Sequence, residues 1–307
     1  METFIEAVVQ GILVGGIYAL VALGWVIIYK CSGVLNLAMG ELTIIGAYVA
    51  LSFYTALSGN PAMLAAVGVG GVFILSVILT LVVGAVLGYT TERLFLDKLI
   101  GEPILAVIMV TVGISFFLKG TVQFIWGTDT RVFNPPVFSL DNIKIGFLNI
   151  TPVYMWSFIL SIILLILLVV FFKYTRWGLS MQATADDETA ALSLGVSARF
   201  VYAASWAIAF MAAGVGGALL GNINGINTSV SHLGLLVLPA VVLGGLNSIP
   251  GAIVGGITIG ILQNLAGTYL DQYFPGGVKE ITPFVFMAVF LLFKPYGLWG
   301  WERIERV

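Results

Sequence analysis

The sequence predicts an all-α polytopic membrane protein. It should have about eight full transmembrane helices plus one short broken segment, in a single membrane domain over residues 1–307. Three observations carry this. Only 9% of the residues are charged and 60% are hydrophobic, with a mean hydropathy of +1.08, which leaves too little charge for a water-soluble surface. Uncharged runs recur at about 20 residues, the length that crosses a ~30 Å hydrocarbon layer as a helix. The alternating ten-residue segments of a membrane β-barrel do not occur. The net charge of -2 does not point to nucleic acid. One cysteine, Cys31, and one histidine, His232, allow neither an intrachain disulfide nor a Cys/His metal cluster. Glu2 and Glu6 precede the first apolar run without a basic residue, so a signal-peptide start is lacking and the first helix is expected to be retained.

Taken in order, residues 7–29 are uncharged and make one span. Gly11, Gly15 and Ala19 recur every fourth residue and give it a small face for a close helix neighbour. Lys30 to Gly33 reads as a turn. Asn36 can cap a following helix that holds Glu41 about one turn in. No charge then occurs before Glu92, and Ser58-Gly59-Asn60-Pro61 cuts that run into two antiparallel helices. Glu92 to Glu102 reads as a charged loop. A fourth helix begins near Ile104 and ends near Trp126, with Lys119 in its last third. Residues 127–151 form a polar loop with Pro135-Pro136 and short β-like pieces, and a fifth helix runs from Pro152 to Phe172.

A polar segment, Lys173 to Arg199, follows between two apolar runs. It predicts one capped helix of about ten residues: Thr184 at the N-cap, Asp186, Asp187 and Glu188 in a first turn where the helix dipole favours negative charge, then Ala191, Leu192 and Leu194. Gly195 supplies the left-handed end, and Ser197 caps the next helix. This is a small rigid knob at the membrane surface, either a solvated loop helix or a docking element for another protein.

From Phe200 to Leu270 there is no charged residue apart from the titratable His232. Two polar breaks divide the run, Gly221 to His232 and Leu243 to Gly251, leaving only about a dozen apolar residues between them, too few for a standard span of ~20. Interrupted backbone at membrane depth survives where it is buried in protein or faces a water-filled path, so this region is the best pointer to a translocation pathway. Its candidate residues are Asn36, Glu41, Gly244, Gly245, Asn247 and Pro250. Gly217 and Gly221 before the breaks, and Gly251, Gly255, Gly256 and Gly260 after them, allow close packing. A last apolar run ends at Phe293, followed by a tail with Arg303 and Arg306. With the knob inside and the short segment crossing, nine basic residues lie inside and three or four outside, which places the N-terminus outside and the C-terminus in the cytoplasm.

Thr184-Ala-Asp-Asp-Glu-Thr-Ala-Ala-Leu-Ser-Leu-Gly-Val196, with the small-residue stretch Gly216 to Gly221, resembles the coupling region of bacterial ABC-importer permeases. The subtype it is similar to is the branched-chain amino acid permease, H-type subunit. Asn36 to Glu41, Val242 to Ala252 and Phe293-Lys-Pro-Tyr-Gly-Leu298 fit the same family, so the resemblance spans essentially the whole chain. Met39 stands where His or Gln is expected, and Leu246-Asn247 where Gly is common; both departures bear on substrate identity. The resemblance implies the ABC-importer permease fold in the bacterial inner membrane. It makes the knob, through Thr184, Asp187, Glu188, Ala191, Leu192 and Gly195, a coupling helix fitting a groove on a cytoplasmic ATPase. It also implies a second permease subunit in a heterodimer, two ATPases and a periplasmic binding protein. Branched-chain amino acids are the first expected substrate, with urea and short amides as alternatives. The chain has no G-x-x-x-x-G-K-[ST] phosphate loop, so ATP would be bound by partners and no cofactor by this chain.

Two rival classes remain. A channel or secondary transporter would need intramembrane carboxylates or histidines for ion coupling. Only Glu41 and Lys119 are candidates, both expected near the surfaces. An intramembrane enzyme would need a nucleophile–base pair or an HExxH helix, and neither is found. Cys31 and His232 are expected on opposite faces.

Overall fold

The computed structural model describes residues 1–300 except 100–101, 139–140, 146–147 and 274–276. Arg303, Arg306 and the Pro275-Gly276 turn lie outside the described residues. In order, the helices are α1 (Glu2–Ser32), α2 (Met39–Ser58), α3 (Pro61–Thr91), α4 (Ile104–Trp126), α5 (Pro152–Tyr174), α6 (Arg176–Asp186), α7 (Glu188–Ser193), α8 (Ala198–Asn224), α9 (Ser229–Leu235), α10 (Leu238–Gly244), α11 (Ile249–Tyr269) and α12 (Val278–Phe293). A two-stranded antiparallel hairpin, β1 (Ile143–Ile145) and β2 (Leu148–Ile150), precedes α5 and pairs Lys144 with Asn149.

Among the described residues, seven helices are long and apolar enough to cross a membrane: α1, α2, α3, α4, α5, α8 and α11. The eighth expected full span, α12, has 16 residues, about 24 Å of helix. The apolar stretches of α1 and α8 are 89% and 83% buried, whereas those of α4 and α5 are 17% and 22% buried. α1 and α8 are therefore the axis of the bundle. α4 and α5 present side chains such as Phe116, Phe124 and Ile166 outward, as lipid contact requires.

Small residues set the closest crossings. Gly11 and Gly15 of α1 face the backbone of α11 at Gly260–Ile261 and Gly256–Ile257, and Gly256 faces Ala19, as the four-residue spacing predicts. Gly217 and Gly255 do the same for α8 against α2 and α11 against α10.

The two ends of the bundle are identified by contacts. At one end Asn149 of β2 donates to Glu6 at 3.3 Å, and Arg131, just after α4, makes a two-way backbone bridge with Ile226. At the other lie α6, α7 and residues 294–300. The short broken segment runs between these ends. It starts beside Arg131 and finishes where Leu298 and Trp299 donate to the carbonyls of Leu243 and Gly244, at 2.8 and 3.1 Å. It crosses as α9 and α10, joined at Leu236–Val237.

Several boundaries differ from expectation. α1 continues through Lys30 to Ser32, and only Gly33, at φ 67°, turns the chain. α3 passes into a π-helical turn (Glu92–Leu96) and a 3-10 turn (Asp97–Leu99) instead of a loop. There Asp97 meets Arg93 at 3.7 Å and Arg199 of α8 at 3.4 Å, so the charges hold the chain against the bundle. α8 extends to Asn224, which moves the first break to residues 225–228; Gly225, at φ 77°, makes the exit.

Candidate functional site

The knob is two helices, not one. Thr184 is inside α6, buried, with its hydroxyl spent on the carbonyl of Ser180 at 2.9 Å, so it caps nothing. The cap is Asp187, in extended conformation between α6 and α7. Its Oδ1 accepts from the amide of Ala190 at 3.0 Å and the hydroxyl of Thr189 at 2.6 Å. Those two donors hold the Asp187 carboxyl below the usual carboxylate range. The cap is therefore complete at neutral pH and is lost only as pH falls through that lowered value. Asp186 ends α6 rather than opening a helix. The far end matches expectation. Gly195, at φ 85°, donates to Leu192, and Val196 donates to Ala191, closing α7; Ser197 caps α8 by accepting from Phe200.

α6 is clamped to the bundle. A side chain at Gly178 would strike the backbone of Phe171 and Phe172, Gln182 donates to the carbonyl of Phe172 at 2.7 Å, and Trp177 packs on Phe200 with ring centroids 4.6 Å apart. α7 turns one face to the bundle and the other outward. Glu188 and Tyr202 line the same cavity, and Ala191 faces inward at 2% exposure. Leu192 and Leu194 face outward at 51% and 83%.

The predicted pathway residues divide. The chain at 34–38 folds back into the bundle after α1. The amide of Leu37 donates to Thr111, seven residues into α4, and Met39 packs on Gly24, eight residues before the end of α1. At 1.5 Å per residue these are depths of roughly 10–12 Å. Asn36 and Glu41 therefore lie well inside, not near the surface. Asn36 accepts from Ala38 in a turn two residues ahead of α2 and does not cap the helix itself. Glu41 is 5% exposed. Its Oε1 accepts from the hydroxyl of Ser231 in α9 at 2.9 Å, and its Oε2 is buried with no hydrogen-bond partner among the described residues.

Gly244 packs on the backbone of Gly251, and Gly245, at φ 101°, meets the backbone of Gly300; both make a packed seam. Pro250 sits in the first turn of α11 and is exposed. Asn247 joins Thr184, Glu188, Tyr202 and Tyr296 around a cavity of about 630 Å³ at the knob end. One knob-side space thus unites residues from the coupling and pathway sets. Cys31 borders it, while His232 borders a separate cavity of about 400 Å³ at the opposite end, so the two stand at opposite ends as expected.

Sequence reasoning missed Tyr18 and Gln263, whose side chains bond at 2.7 Å, both buried, at that second cavity. The available signal was Gln263 itself, an amide within an otherwise apolar run.

A multi-pass helical bundle with a broken crossing segment and a presented knob defines a membrane transport permease. Residues 7–293 match the family described as branched-chain amino acid transport system, permease component, and the chain belongs to that family. It is similar to the high-affinity branched-chain amino acid transport system permease protein LivH of Escherichia coli, 29% identical, covering 99% of this chain and 98% of that one. It is also similar to the corresponding protein BraD of Pseudomonas aeruginosa, 30% identical over the same shares. A third relative is a probable LivH of Methanocaldococcus jannaschii, 28% identical, covering 96% and 93%.

Proposed function

We propose that this chain is one of two permease subunits of an ABC importer that moves branched-chain amino acids inward, driven by cytoplasmic ATPases that grip α7 and supplied by a periplasmic binding protein. The full-length family match carries this reading. The exposed Leu192 and Leu194 on a doubly capped turn support the ATPase contact. Force on α7 would reach the membrane interior through Glu188 and Tyr202 and through α6 on α5. The partner ATPases supply the energy through contacts that differ between two conformations. Co-reconstitution with the partner permease, ATPases and binding protein should give ATP-dependent uptake of leucine, isoleucine and valine. Uptake of urea in place of these would overturn the substrate assignment.

The knob end is proposed to be cytoplasmic. Lys30, Arg93, Lys98, Lys173, Arg176, Arg199 and Lys294 lie there among the described residues, against Arg131, Lys144 and Lys279 at the other end and Lys119 in the last third of α4, in keeping with the positive-inside bias. In a Cys31→Ser background, a cysteine at Lys294 should react with an impermeant reagent only in inverted vesicles, and one at Asn149 only in intact cells. The reverse pattern would reject the orientation.

Glu41 is proposed as a pathway group. Glu41 ties α2 to the broken segment through Ser231 and holds its second carboxyl oxygen without a hydrogen-bond partner among the described residues, and an ionisable group within a membrane bundle marks a candidate functional position. Glu41→Gln should lower uptake several-fold while the assembled complex is recovered in normal yield. Unaltered uptake per complex would reduce Glu41 to a clasp between α2 and α9.

A further inference from the structure

The cavity at the end opposite the knob lies within one chain, between α1, α5, α8, α9, α11 and α12, and its ~400 Å³ is the size of a small-molecule site. Its chemistry is graded with depth. At the floor the Tyr18 hydroxyl donates to Oε1 of Gln263, and the two side chains are only 3% and 1% exposed. That bond engages the Gln263 amide oxygen, and Gln263 borders the cavity. The wall is apolar at Val14, Leu220 and Leu236 and carries polar groups at Tyr154, Asn224 and His232. At the mouth Lys279 and Glu280 stand side by side in the first turn of α12, exposed, and neither is in an ion pair with another described residue.

This set selects a ligand class. A simple anion would meet Glu280, and a metal cation would find one carboxylate and the positive Lys279. A molecule carrying one positive and one negative group close together satisfies both mouth residues, and a short apolar side chain fits the wall. We propose that this cavity binds a zwitterionic amino acid with an apolar side chain inside a single permease chain. The choice of ligand rests on the transport reading above; the site itself rests on the geometry of Tyr18, Gln263, Lys279 and Glu280. The exposed charges at the mouth each add modestly, because water screens them.

The test is equilibrium binding of radiolabelled L-leucine to the purified permease pair in lipid nanodiscs, without the binding protein. Saturable binding is expected, competed by unlabelled leucine but not by leucinamide, which lacks the carboxylate, or isovalerate, which lacks the ammonium. Glu280→Gln and Lys279→Gln, both at exposed positions where folding is insensitive, should each weaken binding about two- to fivefold. Tyr18→Phe, which removes only one oxygen, should weaken it less. Absent binding, equal competition by either analogue, or binding unmoved in both mouth variants overturns the site. ATP-driven uptake by the full complex is read separately. Uptake without this binding rejects the site alone, and binding without ATP-driven uptake rejects the transport reading alone.

Discussion

Leu192→Asp is expected to abolish ATP-driven uptake while the permease still inserts and assembles with its partner permease. The side chain is half exposed on a six-residue helix whose shape is set elsewhere, by the Asp187 cap at one end and the left-handed Gly195 at the other. An aspartate there breaks no bond within the chain, so the fold should be unaffected. In a closed contact with an ATPase groove it would bury an unpaired carboxylate, a penalty of several kcal/mol that can dissociate a modest interface. The comparison is Ala191, the neighbour that faces the bundle at 2% exposure; a charge placed there would damage the chain itself. A cysteine at Leu194, the more exposed of the two leucines, is the better cross-linking position to the ATPase. Full coupled transport by Leu192→Asp would make α7 a solvated turn and remove it from the coupling route.

Gly217→Leu is expected to cause outright loss of folded protein. A Cβ on Gly217 would overlap the carbonyl oxygen of Thr43, and one on Gly46 would overlap the Cα of Gly214, so α2 and α8 touch backbone to backbone. Overpacking that side chains can absorb costs ~1–3 kcal/mol. Here no side chain is available to yield, and α2 must move away bodily. That movement would carry Gly40, packed on Ser231 and Gly234 of α9, and with it the broken segment. Gly113→Leu on α4 is the control, because nothing lies within 4 Å of a Cβ at that position. Fluorescence-detected size exclusion on heated, detergent-solubilised samples separates the two. A Gly217→Leu variant that unfolds at the wild-type temperature would show that the α2–α8 approach has slack.

The sequence alone was sufficient wherever the deciding physics is local or additive along the chain. Uncharged run lengths located the long helices because crossing a bilayer is a matter of summed hydrophobicity over a fixed thickness. Gly195 and Ser197 were legible because a left-handed residue and a side-chain acceptor act within four residues of themselves. The four-residue spacing of Gly11, Gly15 and Ala19 announced a close helix contact. Tertiary structure decided the rest. Thr184 and Asp187 are both good cap residues, and only the packing of α6 against α5 and α1 chose between them, by burying Thr184 inside a helix. Gly113 and Gly217 look alike in sequence; one faces outward and the other lies against a carbonyl. The depth of Asn36 and Glu41 depends on the chain folding back beside Gly24 and Thr111, a contact across 74 residues in the case of Leu37. The same holds for Tyr18 and Gln263, 245 residues apart and joined by one hydrogen bond. Hydropathy is a one-dimensional quantity. It tells which residues leave water, but what each one meets there is set by helices that are distant in sequence.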